Sequence, residues 1–155
     1  MQQITDLFTH PQYVPLVAGW IHAEFWADKD VLTPTALADL LRLATLSDAI
    51  PLSLLAVVDG QPVGTVNLIE NDDDRRAHLR PWLAALYVVP DHRRRGIGSA
   101  LVRSLQRRAG RMGIGELYLG TDNPGFYTRL GAVLHEQVID DFCIMRIECN
   151  RAVEA

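Results

Sequence analysis

Lysine is nearly missing from this chain. Of its fifteen Lys and Arg residues, Lys29 alone is a lysine. A Walker-type phosphate loop, G-x-x-x-x-G-K-[ST], needs a lysine that reaches the β- and γ-phosphates, and the glycine-bearing stretch at residues 93–99 has none. Cysteine is scarce too. Cys143 and Cys149 sit six apart, and on a straight strand they share one face about 20 Å apart, too far to bridge. They read as small apolar packing residues. The five histidines show no metal-ligand spacing, and His22 has no His or Cys three or four residues away, so no metal is expected. No apolar run approaches the roughly 20 residues that span a bilayer, which predicts no membrane contact. The opening "MQQITDLFTH" lacks the basic and apolar regions of a secretory signal, and the expected location is cytoplasmic.

Repeats, low-complexity tracts and linkers are also lacking, so residues 1–155 read as a single domain. A domain of this length buries roughly 70% of its unfolded surface, enough for its own core. The hydrophobic content of 48% weighs against disorder. Net charge is −4, which weighs against a nucleic-acid partner. The charge is uneven, however: acids collect in "ENDDD" at 70–74 and arginines at 93–95 and along 103–111. A local basic site on an acidic chain suits a small anionic ligand better than a polymer.

What is present reads as a mixed α/β fold. Val14, Val17, Ile21 and Phe25 recur at helical spacing in a first helix. Thr33 as N-cap and Pro34 at the first position open a second, carrying Leu37, Leu40, Leu41 and Leu43. Two apolar runs around "DGQP" form a hairpin, and "WLAALYVV" is a further strand ending at Pro90. From Gly98, Leu101, Val102, Leu105, Ala109 and Met112 make an apolar stripe, with Arg103, Arg107, Arg108 and Arg111 on a solvated face. "ELYLGT" is a strand and "NPGFYTRLGA" a short helix with Gly131 as its left-handed cap. Two strands around Asp140-Asp141 close the chain. The expected order is β-α-α-β-β-β-α-β-α-β-β.

The stretch "LYVVPDHRRRGIGSALV" carries the chemistry. A strand running through a glycine-bearing loop into a helix leaves backbone N–H groups free at the positive end of the macrodipole. Glycine permits close approach, and arginine adds forked donors matched to phosphate oxygens. Residues 93–99 therefore suit a phosphate or pyrophosphate. A dinucleotide fingerprint fails, because Leu101 stands at its third glycine position and no acid closes the next strand. An exposed arginine-rich turn without a ligand is the plain alternative.

These residues resemble the acetyl-coenzyme A signature of the GCN5-related N-acetyltransferases (GNAT), [Q/R]-x-x-G-x-[G/A], matched by Arg93, Arg94, Arg95, Gly96, Ile97 and Gly98. "NPGFYTRLGA" resembles the family's N-x-x-x-F/Y-Y-x-x-x-G-F segment, with Ala132 in place of the final Phe. The resemblance implies a GNAT-like fold and acetyl-CoA as co-substrate. Backbone groups of Leu86, Tyr87 and Val88 would then pair with the pantetheine arm. Backbone N–H groups from Arg94 to Ser99, with Arg93, would hold the pyrophosphate, and Asn123 would meet the pantetheine end. Tyr127 would lie near the thioester sulfur as general acid. For the base, Glu70 at its strand end comes first, with His78 and Glu24 behind it.

The acceptor would be a primary amine, on a small molecule or a peptide N-terminus, with Trp26, His78 and Trp82 toward its pocket. "HPQYVPLVAGWIHAEFW", "LSDAIPLSLL" and "NPGFYTRLGA" faintly resemble the actin N-terminal acetyltransferase branch, which takes acidic peptide N-termini; Arg75, Arg76 and Arg80, if they face the pocket, would receive such an acceptor. The acidic 70–74 run suits a polyamine or aminoglycoside instead. A homodimer is compatible with the family. Two other readings stay open: a non-catalytic acyl-CoA-binding or sensor module of the same fold, and a nucleic-acid module through "HRRRGIG".

Overall fold

The computed structural model describes residues 1–29 and 31–149. In chain order these form β1 (Gln2–Asp6), α1 (Val14–Ile21), α2 (Pro34–Leu41), β2 (Leu52–Val58), β3 (Gln61–Ile69), β4 (Trp82–Val88), α3 (Ile97–Arg111), β5 (Glu116–Thr121), α4 (Pro124–Thr128), β6 (Val133–Ile139) and β7 (Phe142–Glu148). This is the expected order. The seven strands make one sheet, β1-β2-β3-β4-β5-β7-β6, antiparallel except where β4 meets β5.

Alternation along the strands divides the apolar residues between two faces. Leu54 packs into the cluster that holds α3, while its neighbour Leu55 packs against α1 and α2. On α3, Leu101, Val102, Leu105 and Ala109 are fully buried, as their spacing requires. Each of the larger ones contributes about 1.5–3 kcal/mol in apolar transfer. Met112 is the C-cap and only partly buried. The two cysteines are free and buried, and burial pushes the Cys149 thiol up to about 11.

Several local expectations need correction. The first helix changes pitch: after Ile21 the backbone runs through a π-helical stretch, His22–Trp26. Its wider turn moves Phe25 off the packed face and leaves it exposed. The second helix has the expected Thr33 cap, whose Oγ1 accepts from the Ala36 N–H at 3.0 Å, but it stops at Leu41. Leu37, Ala38 and Leu41 cover its buried face, so Leu40 and Leu43 point outward. On α3, Arg103 and Arg108 are not simply solvated. Arg103 donates to the Leu130 carbonyl at 3.0 Å, and Arg108 pairs with Asp6 on β1. The flanks of α3 lie against β1 and the end of α4, which supply those acceptors.

Candidate active site

The site begins with a defect in the sheet. β4 and β5 share one register pair, Trp82 with Tyr118, and then part. The cause lies in β4. Across from β3, Tyr87 pairs with Thr65 and Ala84 with Asn67, so three steps on β4 face two on β3. The extra residue makes a bulge, and Ala85 takes a φ of 52°, a region that costs a non-glycine residue strain. A bulge bends and twists its strand. Here the bent half, Leu86–Val88, lines a cleft of about 1030 Å³, with β5 and α4 contributing to the other side. Beneath the bulge the buried Asn67 holds both neighbours: its Oδ1 accepts from Ser53 Oγ at 2.6 Å, and its Nδ2 donates to the Ala84 carbonyl at 3.5 Å.

At one end of the cleft the chain turns into α3. Arg94 and Gly96 both adopt positive φ, 64° and 81°, which curls residues 94–96 into a cap at the N-terminus of α3. Gly96 is the N-cap, a conformation glycine takes without Cβ strain. Arg93, Arg94, Gly96, Ile97, Gly98 and Ser99 all line the cleft, whereas the exposed Arg95 does not. At Gly98 a Cβ would stand in ordinary contact with the Phe126 ring, at 3.4 Å, where α3 and α4 face each other. Free N–H groups, the helix dipole and two arginines meet here, the chemistry of a pyrophosphate site.

Asn123 and Tyr127, from α4 and the loop before it, also line the cleft. Tyr127 is buried, its ring edge-on to Phe126 at 4.9 Å. Burial pushes its phenol up to about 12, so it is a proton donor throughout the neutral range.

The far end differs in part from expectation. Glu70 is exposed just past β3 and stays outside the cleft lining, as does the exposed His78. Glu24 and Asp72 do line it, Glu24 because the π-helical stretch turns it there. Asp72 lines the cleft with part of its surface open to solvent. Burial first, then the neighbouring Asp73, push its carboxyl up to about 6, while the Lys29 ammonium pulls it down. Sequence reasoning passed over Asp72 because it lies inside an acidic run that reads as solvated surface.

Trp26 lines the cleft half-buried. Trp82 touches it only from below: the ring is 1% exposed, and its indole N–H donates to the Leu79 carbonyl at 2.6 Å. The arginines suggested for an acidic acceptor are elsewhere. Arg76 is held by Asp73 at 2.8 Å and by Glu136 at 2.6 Å, and Arg80 donates to the Ala77 carbonyl. Neither they nor Arg75 line the cleft. Among the described residues no group of His, Cys, Asp and Glu could hold a metal, and no helix is long and apolar enough to cross a membrane.

Known proteins share this fold. An uncharacterized N-acetyltransferase of Methanocaldococcus jannaschii is 40% identical over 83 residues, which cover 48% of this chain and 35% of that relative. The match thus spans about a third of the relative's length. An aminoglycoside 6'-N-acetyltransferase solved with coenzyme A superposes with a TM-score of 0.73 at 16% identity, over 95% of this chain and 97% of that one. The PaiA N-acetyltransferase of Thermoplasma acidophilum, also with coenzyme A, gives 0.70 at 18% identity, over 96% and 99%. A GNAT-family acetyltransferase of Streptococcus pneumoniae gives 0.69 at 19%, over 97% and 100%. At such identities these structures establish the fold. The family model of the GNAT acetyltransferases matches residues 3–132, and the chain belongs to that family.

Proposed function

We propose that the chain moves an acetyl group from acetyl-CoA to a primary amine, on a small molecule or a peptide N-terminus, by direct attack within a ternary complex. The observation that carries this reading is the continuous path from the splayed edge of β4 into the glycine cap of α3. Backbone groups of Leu86, Tyr87 and Val88 would receive the pantetheine amides as an added strand. Residues 93–99, excepting the outward Arg95, would receive the pyrophosphate, with Asn123 at the pantetheine end. Two solved neighbours that carry coenzyme A support the choice of ligand.

An alkyl amine is mostly protonated at neutral pH and must lose a proton before it attacks. Asp72 takes the role that sequence reasoning gave to Glu70, because it lines the cleft and its carboxyl titrates close to neutrality. The amine nitrogen then bonds to the thioester carbon, and strand N–H groups hold the oxyanion. The carbon–sulfur bond breaks as Tyr127 donates its proton to the departing sulfur, and the proton the nitrogen sheds on forming the amide restores the phenol. Holding both substrates in one cleft supplies much of the acceleration. Trp26 forms the acceptor wall, with Trp82 beneath.

Release of coenzyme A thiol, measured with amines of differing charge, tests the reading. Turnover with any of them supports transfer. Tight coenzyme binding without turnover across the set supports the non-catalytic acyl-CoA-binding alternative.

A further inference from the structure

The one lysine of the chain stands in the wall of this cleft. Lys29 lies three residues past the end of the π-helical stretch, its N–H donating to the Trp26 carbonyl at 3.1 Å. Its side chain folds back over the same residue, with Nζ 5.2 Å from the centroid of the Trp26 ring. It lines the cleft together with Asp72, and the Asp72 carboxyl feels its charge. A primary amine thus shares one cavity with the β4 edge, with Tyr127 and with the carboxylate that would deprotonate an acceptor. Arginine could not take its place chemically, since a guanidinium stays protonated.

We propose that Lys29 is itself an acceptor, acetylated in cis by the cleft it lines. This rests on the acetyl-transfer reading above. The step balances within that chemistry. The Lys29 ammonium loses a proton to Asp72, and the neutral Nζ bonds to the acetyl carbon. The carbon–sulfur bond breaks, Tyr127 supplies the proton that leaves with coenzyme A, and the second proton shed by the nitrogen as the amide forms restores the Tyr127 phenol. Acetyl-CoA is the sole co-reactant, and the products are Nε-acetyl-Lys29 and the free thiol. Tethering the amine to the cleft raises its effective concentration, as for any intramolecular reaction. The reaction also abolishes a positive charge beside Asp72.

The chain has its own internal control. Among the described residues the one other primary amine is the Met1 N-terminus, which pairs with Asp59 in the β2–β3 turn and lines no part of the cleft.

The full-length protein is incubated with acetyl-CoA and followed by intact mass and peptide mapping, with thermal unfolding measured alongside. The expected result is one added acetyl group, mapped to Lys29, absent in Lys29→Arg and slowed by excess coenzyme A. Its rate constant should not change when the protein is diluted. Gly98→Val, which fills the coenzyme cleft, should lose the modification, and the coenzyme A competition carries the same test if that variant folds poorly. An unmodified Lys29 in a protein that acetyl-CoA stabilises would overturn this inference and leave the coenzyme site standing. A rate indifferent to coenzyme A and to Gly98→Val would overturn it as mere solution chemistry, and a rate constant rising with protein concentration would overturn transfer in cis. Absence of both stabilisation and modification would remove the underlying reading and this inference together.

Discussion

Arg93 donates from Nε to the Val88 carbonyl at 2.8 Å and lays its guanidinium over Tyr87, 5.4 Å from the ring centroid. One side chain therefore joins the end of the splayed strand to the start of the loop before α3. The guanidinium keeps further donors free toward the cleft it lines. Replacing Arg93 by Ala removes a charge-assisted contact worth about 1.5–3 kcal/mol, roughly a tenfold to hundredfold loss of coenzyme affinity. Lys should not restore it, because an ammonium lacks the fork that serves strand and ligand at once. Titration calorimetry with coenzyme A measures both variants.

Gly98→Val should leave the fold intact and remove coenzyme binding. The position is in a regular helix, and a Cβ there makes only ordinary contacts, with the Phe126 ring at 3.4 Å and the Val88 side chain at 3.9 Å. Circular dichroism should match the parent, while coenzyme A should cease to raise the melting temperature.

Tyr127→Phe removes a hydroxyl from a buried ring and keeps the ring's packing against Phe126. General-acid assistance is worth about 10²–10⁴ in rate. kcat should fall in that range while coenzyme affinity holds. Because burial holds the phenol near 12, Tyr127 should impose no alkaline limb on the rate at pH values well below that. Unchanged turnover would remove Tyr127 as the acid.

Asp72 must be ionised to accept a proton, so activity should rise with pH through about 6. Asp72→Asn should lower kcat and abolish that limb, leaving coenzyme A affinity unaltered. The stability effect has the opposite sign. Folding raises this carboxyl from 3.8 to about 6, so its contribution is fully present below the unfolded value and is lost as pH climbs through 6. The open mouth of the cleft keeps that contribution small.

Leu105 lies at the centre of the α3 stripe with no exposed surface. Leu105→Ala should cost about 2–5 kcal/mol, read as a lower midpoint in urea with the slope unchanged.

Much of this was legible because it rests on local rules. The α3 stripe shows as helical period, the Thr33-Pro34 start as cap chemistry, and the Asp59-Gly60 turn as a pair that takes positive φ, here 51° and 82°. The arginines and glycines before α3 showed as residue types suited to an anion at a helix start, and most of them line the cleft. What stayed hidden depends on tertiary geometry. The bulge sits at Ala85, and alanine carries no signal for a φ of 52°. The place of the carboxylate on the cleft wall depends on how the chain leaves β3. Glu70, just past the strand, stays outside, and Asp72, two residues on, turns in. No periodicity records that turn. The π-helical stretch is hidden likewise, since His22–Trp26 continues the apolar spacing of α1 while its wider pitch swings Glu24 into the cleft.

The most direct test of the central claim is thermal unfolding of the protein with acetyl-CoA, coenzyme A, NAD and ATP in parallel. A ligand at about a hundred times its dissociation constant adds about 2.7 kcal/mol, several degrees for a domain of this size. The account requires a clear rise with acetyl-CoA and coenzyme A and none with NAD or ATP. No rise with either coenzyme would mean that residues 93–99 form a structural turn, and would contradict it.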